Sequence, residues 1–97
     1  MRVKIRYYID VNTGLPHING HGVSEQEVED ILRNPIERRR GDGDSQVLIG
    51  QTGQGRFLRV IISLDDDQRG VFVITAYDLG GKPRKALRRR MRRRGQP

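Results

Sequence analysis

The chain has 97 residues, of which 34% are hydrophobic and 32% are charged, a composition typical of one small domain with a modest core. No apolar run approaches the roughly 20 residues needed to cross a bilayer. The N-terminal sequence MRVKIRYYID alternates polar and apolar residues, unlike a signal peptide. The chain has no cysteine, which excludes disulfide bonds and thiolate zinc sites. We therefore expect a cytoplasmic protein that does not bind membranes.

The net charge of +7 is concentrated near the C-terminus. Residues 82–94, KPRKALRRRMRRR, contain nine Lys or Arg and no acid, whereas the remainder of the chain carries ten basic and twelve acidic residues. A basic block of this kind predicts contact with a polyanion such as RNA or DNA, or with an acidic protein partner.

The N-terminal segment, residues 2–9, alternates in the manner of an antiparallel strand. Its outer face would be basic and aromatic, with Lys4, Arg6 and Tyr8. The following DVNTGLPHINGHG is rich in Asn, Gly and Pro and predicts a loop.

The first helix has a well-specified start at Ser24. This residue is placed to act as the N-cap, and Glu27, three residues later, would complete a capping box. Val28, Ile31 and Leu32 would form the buried stripe, and Pro35 would end the helix near residue 34.

After this helix the sequence predicts strands. The polar IERRRGDGD indicates a short edge strand, and SQVLIGQT a longer one. Residues 56–78, RFLRVIISLDDDQRGVFVITAYD, indicate a β-hairpin, so that three consecutive strands form an antiparallel meander. Strict alternation places seven side chains of the hairpin in the core: Leu58, Val60, Ile62, Leu64, Phe72, Ile74 and Ala76. The opposite face, which would include Arg59 and Tyr77, is half polar and indicates a binding surface.

The predicted element order is β, α, β, β, β, α, which indicates an α+β fold with a small antiparallel sheet and one packing helix. Residues 1–81 would form the compact body, and residues 82–97 a basic C-terminal helix or tail of the same domain. In that helix Leu87 and Met91, at positions i and i+4, form a narrow apolar stripe that would attach it to the body.

Cleavage of RNA through its 2′-hydroxyl requires a base, an acid and positive charge at the phosphate. His17 and His21 are the chain's only side chains of a type that ordinarily titrates near neutral pH. Tyr77 would stack a base or act as an acid, and Arg59 would hold a phosphate. We therefore predict catalytic roles for His17, His21, Tyr77 and Arg59. Each also has an ordinary structural alternative, in loop hydrogen bonding, sheet packing or solvation.

The H-x-x-x-H spacing of the two histidines resembles a metal pair on a helix. However, Gly20 and Gly22 disfavour a helix there, and no third ligand is near in sequence. We therefore expect no metal site and no cofactor. The candidate RNA contacts are the basic and aromatic residues of the first strand, the hairpin entrance and the last helix: Lys4, Arg6, Tyr8, Arg56, Lys82, Arg84, Arg88, Arg89, Arg90, Arg92 and Arg93.

The string HGVSEQEVEDILRNP, together with GRFLRVI and VITAYDL, resembles the BrnT-like and DUF4258-type small proteins, which are related to toxins of type II toxin–antitoxin systems. The resemblance covers residues 17–90. It implies a RelE-like α+β fold, a cytoplasmic RNA-cleaving toxin and neutralisation by a cognate antitoxin. The chain differs from the BrnT pattern at Ser45, Gln51, Tyr77 and Pro83, where that pattern has three arginines and a glutamate.

The residues leave three functional hypotheses open. The first is a toxin-like, metal-independent endoribonuclease. The second is a non-catalytic nucleic-acid-binding protein of the same fold. The third is a protein-interaction module whose basic helix binds an antitoxin or another acidic partner, and an apolar sheet edge would serve either such a partner or a homodimer.

Overall fold

The structure, a computed structural model, describes residues 4–65 and 69–95. The ends of two predicted segments, residues 2–3 of the first strand and residues 96–97 of the tail, lie outside that part, as do residues 66–68 of the predicted hairpin. The elements are β1 (Lys4–Tyr7), a 3₁₀ helix (His17–His21), α1 (Glu25–Arg33), β2 (Glu37–Arg40), β3 (Ser45–Gln51), β4 (Phe57–Leu64), β5 (Gly70–Asp78) and α2 (Gly81–Arg93). The predicted α+β class is confirmed.

The strands form one five-stranded sheet in the order β1-β5-β4-β3-β2. Strands β2 to β5 are an antiparallel meander, which confirms the predicted meander and the short edge strand. The prediction of a wholly antiparallel sheet is wrong, because β1 pairs with β5 in parallel, with Ile5 opposite Val71. Alternation of polar and apolar residues shows that a strand is half buried, but it carries no information on the direction of its neighbour.

A β-bulge in the hairpin changes which side chains of β5 enter the core. Ile61 pairs with Thr75 but Ile62 pairs with Val73, so that Ile74 is an extra residue. Val71 and Val73 therefore lie in the core with Ala76, and the prediction that Phe72 and Ile74 do so is wrong. The predicted core residues of β4 are confirmed except at its exposed end: Leu58, Val60 and Ile62 are buried, whereas Leu64 is exposed.

Helix α1 covers one side of the sheet, which we call the α1 face. Ser24 accepts a hydrogen bond from the Glu27 amide, and the Glu27 carboxylate accepts one from the Ser24 amide, so the predicted capping box is confirmed. Val28 and Ile31 are buried in the larger of two apolar clusters, against side chains of β3, β4 and β5. The helix ends at Arg33, before Pro35, as predicted.

Replacing Ser24 by Ala is expected to lower the free energy of unfolding by about 1 kcal/mol, because the Glu27 amide loses its acceptor. Urea denaturation monitored by circular dichroism would measure the change. Ser24→Asp, which keeps an N-cap acceptor, is the matched control and should remain close to the wild type. If both variants lost the same free energy of unfolding, the N-cap hydrogen bond would not be the cause of the loss.

Helix α2 packs on the opposite side of the sheet, which we call the α2 face. Leu87 is fully buried against Ile49, Phe57 and Leu79, and Met91 packs beside them. The predicted attachment of the basic helix through its narrow apolar stripe is therefore confirmed. Helix α2 packs near Phe57, which begins β4, whereas Arg59 lies further along the same face.

Candidate active site

The two histidines lie on a short helical segment that is anchored beside β5. The chain after β1 turns back on itself, and the His17 amide donates a hydrogen bond to the Tyr8 carbonyl, 2.8 Å away. Residues 17–21 then form the 3₁₀ helix, with Ile18 fully buried in the core. Gly22 ends the helix with a φ of 72°, a left-handed conformation that glycine adopts without strain. The sequence predicted a loop here, with glycines that disfavour a helix, and that prediction is wrong because residues 17–21 form a short 3₁₀ helix.

Within this helix the imidazole rings of His17 and His21 meet edge to face. Their Nε2 atoms are 3.3 Å apart, and their ring centroids 5.0 Å. A hydrogen bond joins two such nitrogen atoms when one carries a hydrogen and the other presents its lone pair, and the tautomers of the two rings decide which is the donor. The geometry therefore suits a pair made of one donor and one acceptor.

Three further side chains surround the histidine pair. The Tyr8 ring lies 5.7 Å from the His17 ring, and the Tyr77 ring 6.1 Å from the His21 ring. The Asp10 carboxylate lies 3.8 Å from Nδ1 of His17, within ion-pairing distance but longer than a hydrogen bond. Asp10 was missed by sequence reasoning, because its proximity to His17 depends on the chain turning back between residues 10 and 17.

Arg59 supplies the positive charge of the site. It is directly opposite Tyr77 in the register of β4 and β5, and its guanidinium carbon lies 5.9 Å from the centre of the Tyr77 ring. Its Nε is buried and has no hydrogen-bond partner among the described residues. No carboxylate of the described chain forms an ion pair with Arg59, so this cation is available to an anionic ligand.

The four side chains predicted to act in catalysis therefore form a series of contacts, from His17 through His21 and Tyr77 to Arg59, although the histidines are about 40 to 60 positions from Arg59 and Tyr77 in the sequence. The term "histidine site" is used below for these four and two additional residues: Tyr8, Asp10, His17, His21, Arg59 and Tyr77. Their catalytic roles remain predictions, because proximity alone does not establish a reaction.

The predicted RNA contacts outside α2 are less uniform. The Lys4 side chain is exposed, whereas Arg6 pairs with Asp65 and lies over the Phe72 ring. Tyr8 is exposed beside His17, and Arg56 has its donors engaged within the chain.

Arg56 joins three parts of the structure. It donates hydrogen bonds to the Gly22 carbonyl at 2.8 Å, to Glu27 at 3.0 Å and to Asp78 at 3.1 Å. The bond to Asp78, more than that to Glu27, raises the pKa of Arg56. This residue therefore fastens the start of α1 and the end of the 3₁₀ helix to β5, rather than presenting a free cation to RNA.

In α2 the basic residues fall into two groups. Arg90 is engaged with a carboxylate of the sheet, and Arg88 lies 5.8 Å from the Phe57 ring centre. The other predicted contacts are exposed side chains: Lys82, Arg84, Arg89, Arg92 and Arg93.

The carboxylate that holds α2 belongs to Glu37, at the start of β2. Its side chain is only 6% exposed and accepts hydrogen bonds from Arg90 at 2.6 and 2.8 Å, from Arg39 at 3.0 Å, and from Arg94. The Arg90 hydrogen bonds are the main reason that the pKa of Glu37 falls from 4.5 to about 2. In the sequence, the only indication of this role is that Glu37 is the single acidic residue of the edge strand ERRR.

Among the described residues, no three His, Cys, Asp or Glu side chains converge as a complete set of metal ligands. None of the helices in residues 4–65 and 69–95 has the length and apolar character needed to cross a membrane.

Residues 17–78, more than half of the chain, match the family described as a domain of unknown function, DUF4258. No curated protein and no solved structure matches the chain. The matched range begins at His17 and ends after Tyr77, so it contains His21 and Arg59 as well. The predicted resemblance to DUF4258-type proteins is confirmed, and the chain belongs to the DUF4258 family.

Proposed function

We propose that this protein is a metal-independent endoribonuclease of the toxin type. The observation that carries the proposal is the contact between His17 and His21, which Tyr77 links to Arg59, an arginine whose charge the described chain does not neutralise. A paired proton donor and acceptor next to a phosphate-binding cation is the minimum requirement for cleavage of RNA through its 2′-hydroxyl.

In the proposed reaction the RNA 2′-oxygen attacks the adjacent phosphorus and the bond from phosphorus to the 5′-oxygen breaks. One histidine accepts the proton of the 2′-hydroxyl, and the other donates a proton to the leaving 5′-oxygen. The products are a 2′,3′-cyclic phosphate and a 5′-hydroxyl, so atoms and charges balance. Arg59 would stabilise the negative charge that develops on the phosphate oxygens.

Two aromatic rings would position the nucleotides. The Tyr8 ring contacts His17 and the Tyr77 ring contacts His21, with ring centroids 5.7 and 6.1 Å apart respectively. Bases of single-stranded RNA stack readily on such rings once they are unpaired. We therefore infer that the substrate is single-stranded, with one base placed on each side of the scissile phosphate.

The exposed basic residues of α2 would add affinity without sequence preference. Binding that depends on contacts with several phosphates weakens steeply as salt concentration rises. In a toxin–antitoxin system, the same surface would accept an acidic cognate antitoxin, which would compete with RNA for it.

The proposal is tested with purified protein and a labelled single-stranded RNA of mixed sequence, in buffer containing EDTA. We expect cleavage products that end in 2′,3′-cyclic phosphates. DNA of the same sequence and RNA methylated at every 2′-oxygen are matched controls, which should bind but remain intact. Cleavage of either control would contradict the proposed chemistry.

The histidine site also fits the second hypothesis, a non-catalytic nucleic-acid-binding protein, since Arg59 and the exposed cations of α2 could bind RNA without cleaving it. The same assay separates the two functions. Salt-sensitive binding of RNA with no cleavage would establish a binding protein and overturn the nuclease.

A further inference from the structure

The distance between the two histidine nitrogens also suits a metal ion. A Zn²⁺ ion binds histidine nitrogen at about 2.0–2.1 Å, so two nitrogens in tetrahedral coordination are about 3.3–3.4 Å apart. The Nε2 atoms of His17 and His21 are 3.3 Å apart. The separation of the two nitrogen atoms therefore matches that of two ligands on one tetrahedral ion.

We propose that His17 and His21 chelate a late first-row transition metal ion, such as Zn²⁺, Ni²⁺ or Cu²⁺, through their Nε2 atoms. Imidazole is a preferred ligand of these three ions. With two protein ligands, the remaining coordination positions would be occupied by water or by an oxygen of a bound ligand.

The surroundings of the pair support this assignment. Histidines that bind metals commonly direct their second ring nitrogen towards a carboxylate, which orients the ring and increases its basicity. The Asp10 carboxylate lies 3.8 Å from Nδ1 of His17, on the side of the ring away from His21. The His21 residue is exposed and the His17 side chain is 36% exposed, so an ion can reach the pair from solvent.

The nearby charges also permit a cation. Asp10 is the acidic group at the pair, and Arg59 contacts the ring of Tyr77 rather than either imidazole. An ion between the two Nε2 atoms would occupy the lone pairs of both rings. It would therefore prevent proton transfer and inhibit RNA cleavage. The inhibition rests on the proposed function, whereas metal binding does not.

The test is calorimetric titration of the tag-free, metal-stripped full-length protein with NiCl₂ or ZnCl₂ alone. The chain has only two histidines and no cysteine, so single variants identify the ligands directly. We expect one ion per chain, and at least tenfold weaker binding by His17→Asn and by His21→Asn. Asp10→Asn should weaken binding less, whereas Asp44→Asn, which removes an exposed carboxylate elsewhere, should leave it unchanged. MgCl₂ should not bind the pair.

Several results would overturn the proposal. These are the absence of Ni²⁺ and Zn²⁺ binding below millimolar concentration, binding that both histidine variants retain, or one ion shared between two chains. Thermal melts without metal would show whether the variants are folded, and only folded variants with lost binding support the chelate. If the protein cleaves RNA, the metal concentration for half inhibition should match that for half binding. If it does not, the calorimetric result still decides the metal site.

Discussion

Replacing His17 or His21 by Asn is expected to reduce the rate of RNA cleavage by about two to four orders of magnitude, the usual contribution of a positioned acid or base. Asn is close in size to histidine and can still form a hydrogen bond, but it cannot exchange a proton near neutral pH. Because both rings are partly or largely exposed, the fold should be retained. Single-turnover cleavage of labelled RNA would measure the rate, and filter binding would measure affinity, which should change by less than about twofold.

The chief control in this experiment concerns contaminating nucleases, because they also produce cyclic phosphates. Each variant must be prepared identically to the wild type, so that a contaminant would cleave equally in all preparations. Arg59→Gln provides a contrasting variant. It should lower both cleavage and affinity, since its cation is proposed to contact the phosphate before and during the reaction. Equal cleavage by wild type and both histidine variants would rule out the proposed acid and base.

Replacing Glu37 by Gln is expected to lower the free energy of unfolding by about 2–3 kcal/mol. The lowering of the Glu37 pKa from 4.5 to about 2 corresponds to about 3 kcal/mol in favour of the charged, folded state. Part of this is lost to solvent screening, because the side chains of its arginine partners are 30% to 51% exposed. Since Glu37 holds the C-terminal half of α2, the loss should appear in that helix first.

The pH dependence gives a second measurement of the same contact. The folded-state pKa of Glu37 is lowered, so its stabilisation is fully present above about pH 4.5 and is lost as the pH falls towards 2. The stability difference between the wild type and Glu37→Gln should therefore shrink over this range. Asp44→Asn makes the same change in net charge at an exposed residue and should have little effect on stability. A constant difference between wild type and Glu37→Gln from pH 6 to pH 3 would contradict the assignment.

Local signals in the sequence were sufficient for several elements. The capping box at Ser24 and Glu27 specifies the start of α1, because both hydrogen bonds form between residues three positions apart. The i, i+4 pair of Leu87 and Met91 specifies which side of α2 is buried. Alternation likewise revealed the strands, the half-polar α2 face and its residues Arg59 and Tyr77.

Local sequence patterns predicted the wrong buried residues in β5, where one inserted residue changes how two strands pair. A single extra residue at Ile74 exchanged the faces of Phe72 and Val73, because side chains alternate with a period of two and any insertion reverses the pattern. No feature of either strand alone identifies that insertion. It depends on how β4 and β5 pair.

The sequence by itself therefore determined the family, the order of most elements and the residue types available for chemistry. Only the tertiary structure decided that β1 runs parallel to β5, and that the chain between them turns back to bring the histidines beside Tyr77. It also decided that Glu37 neutralises part of α2, whereas Arg59 stays unpaired within the described chain. These outcomes depend on contacts between residues far apart in sequence. Periodicity reflects only residues that are close together in the chain, and composition carries no information on which residues meet.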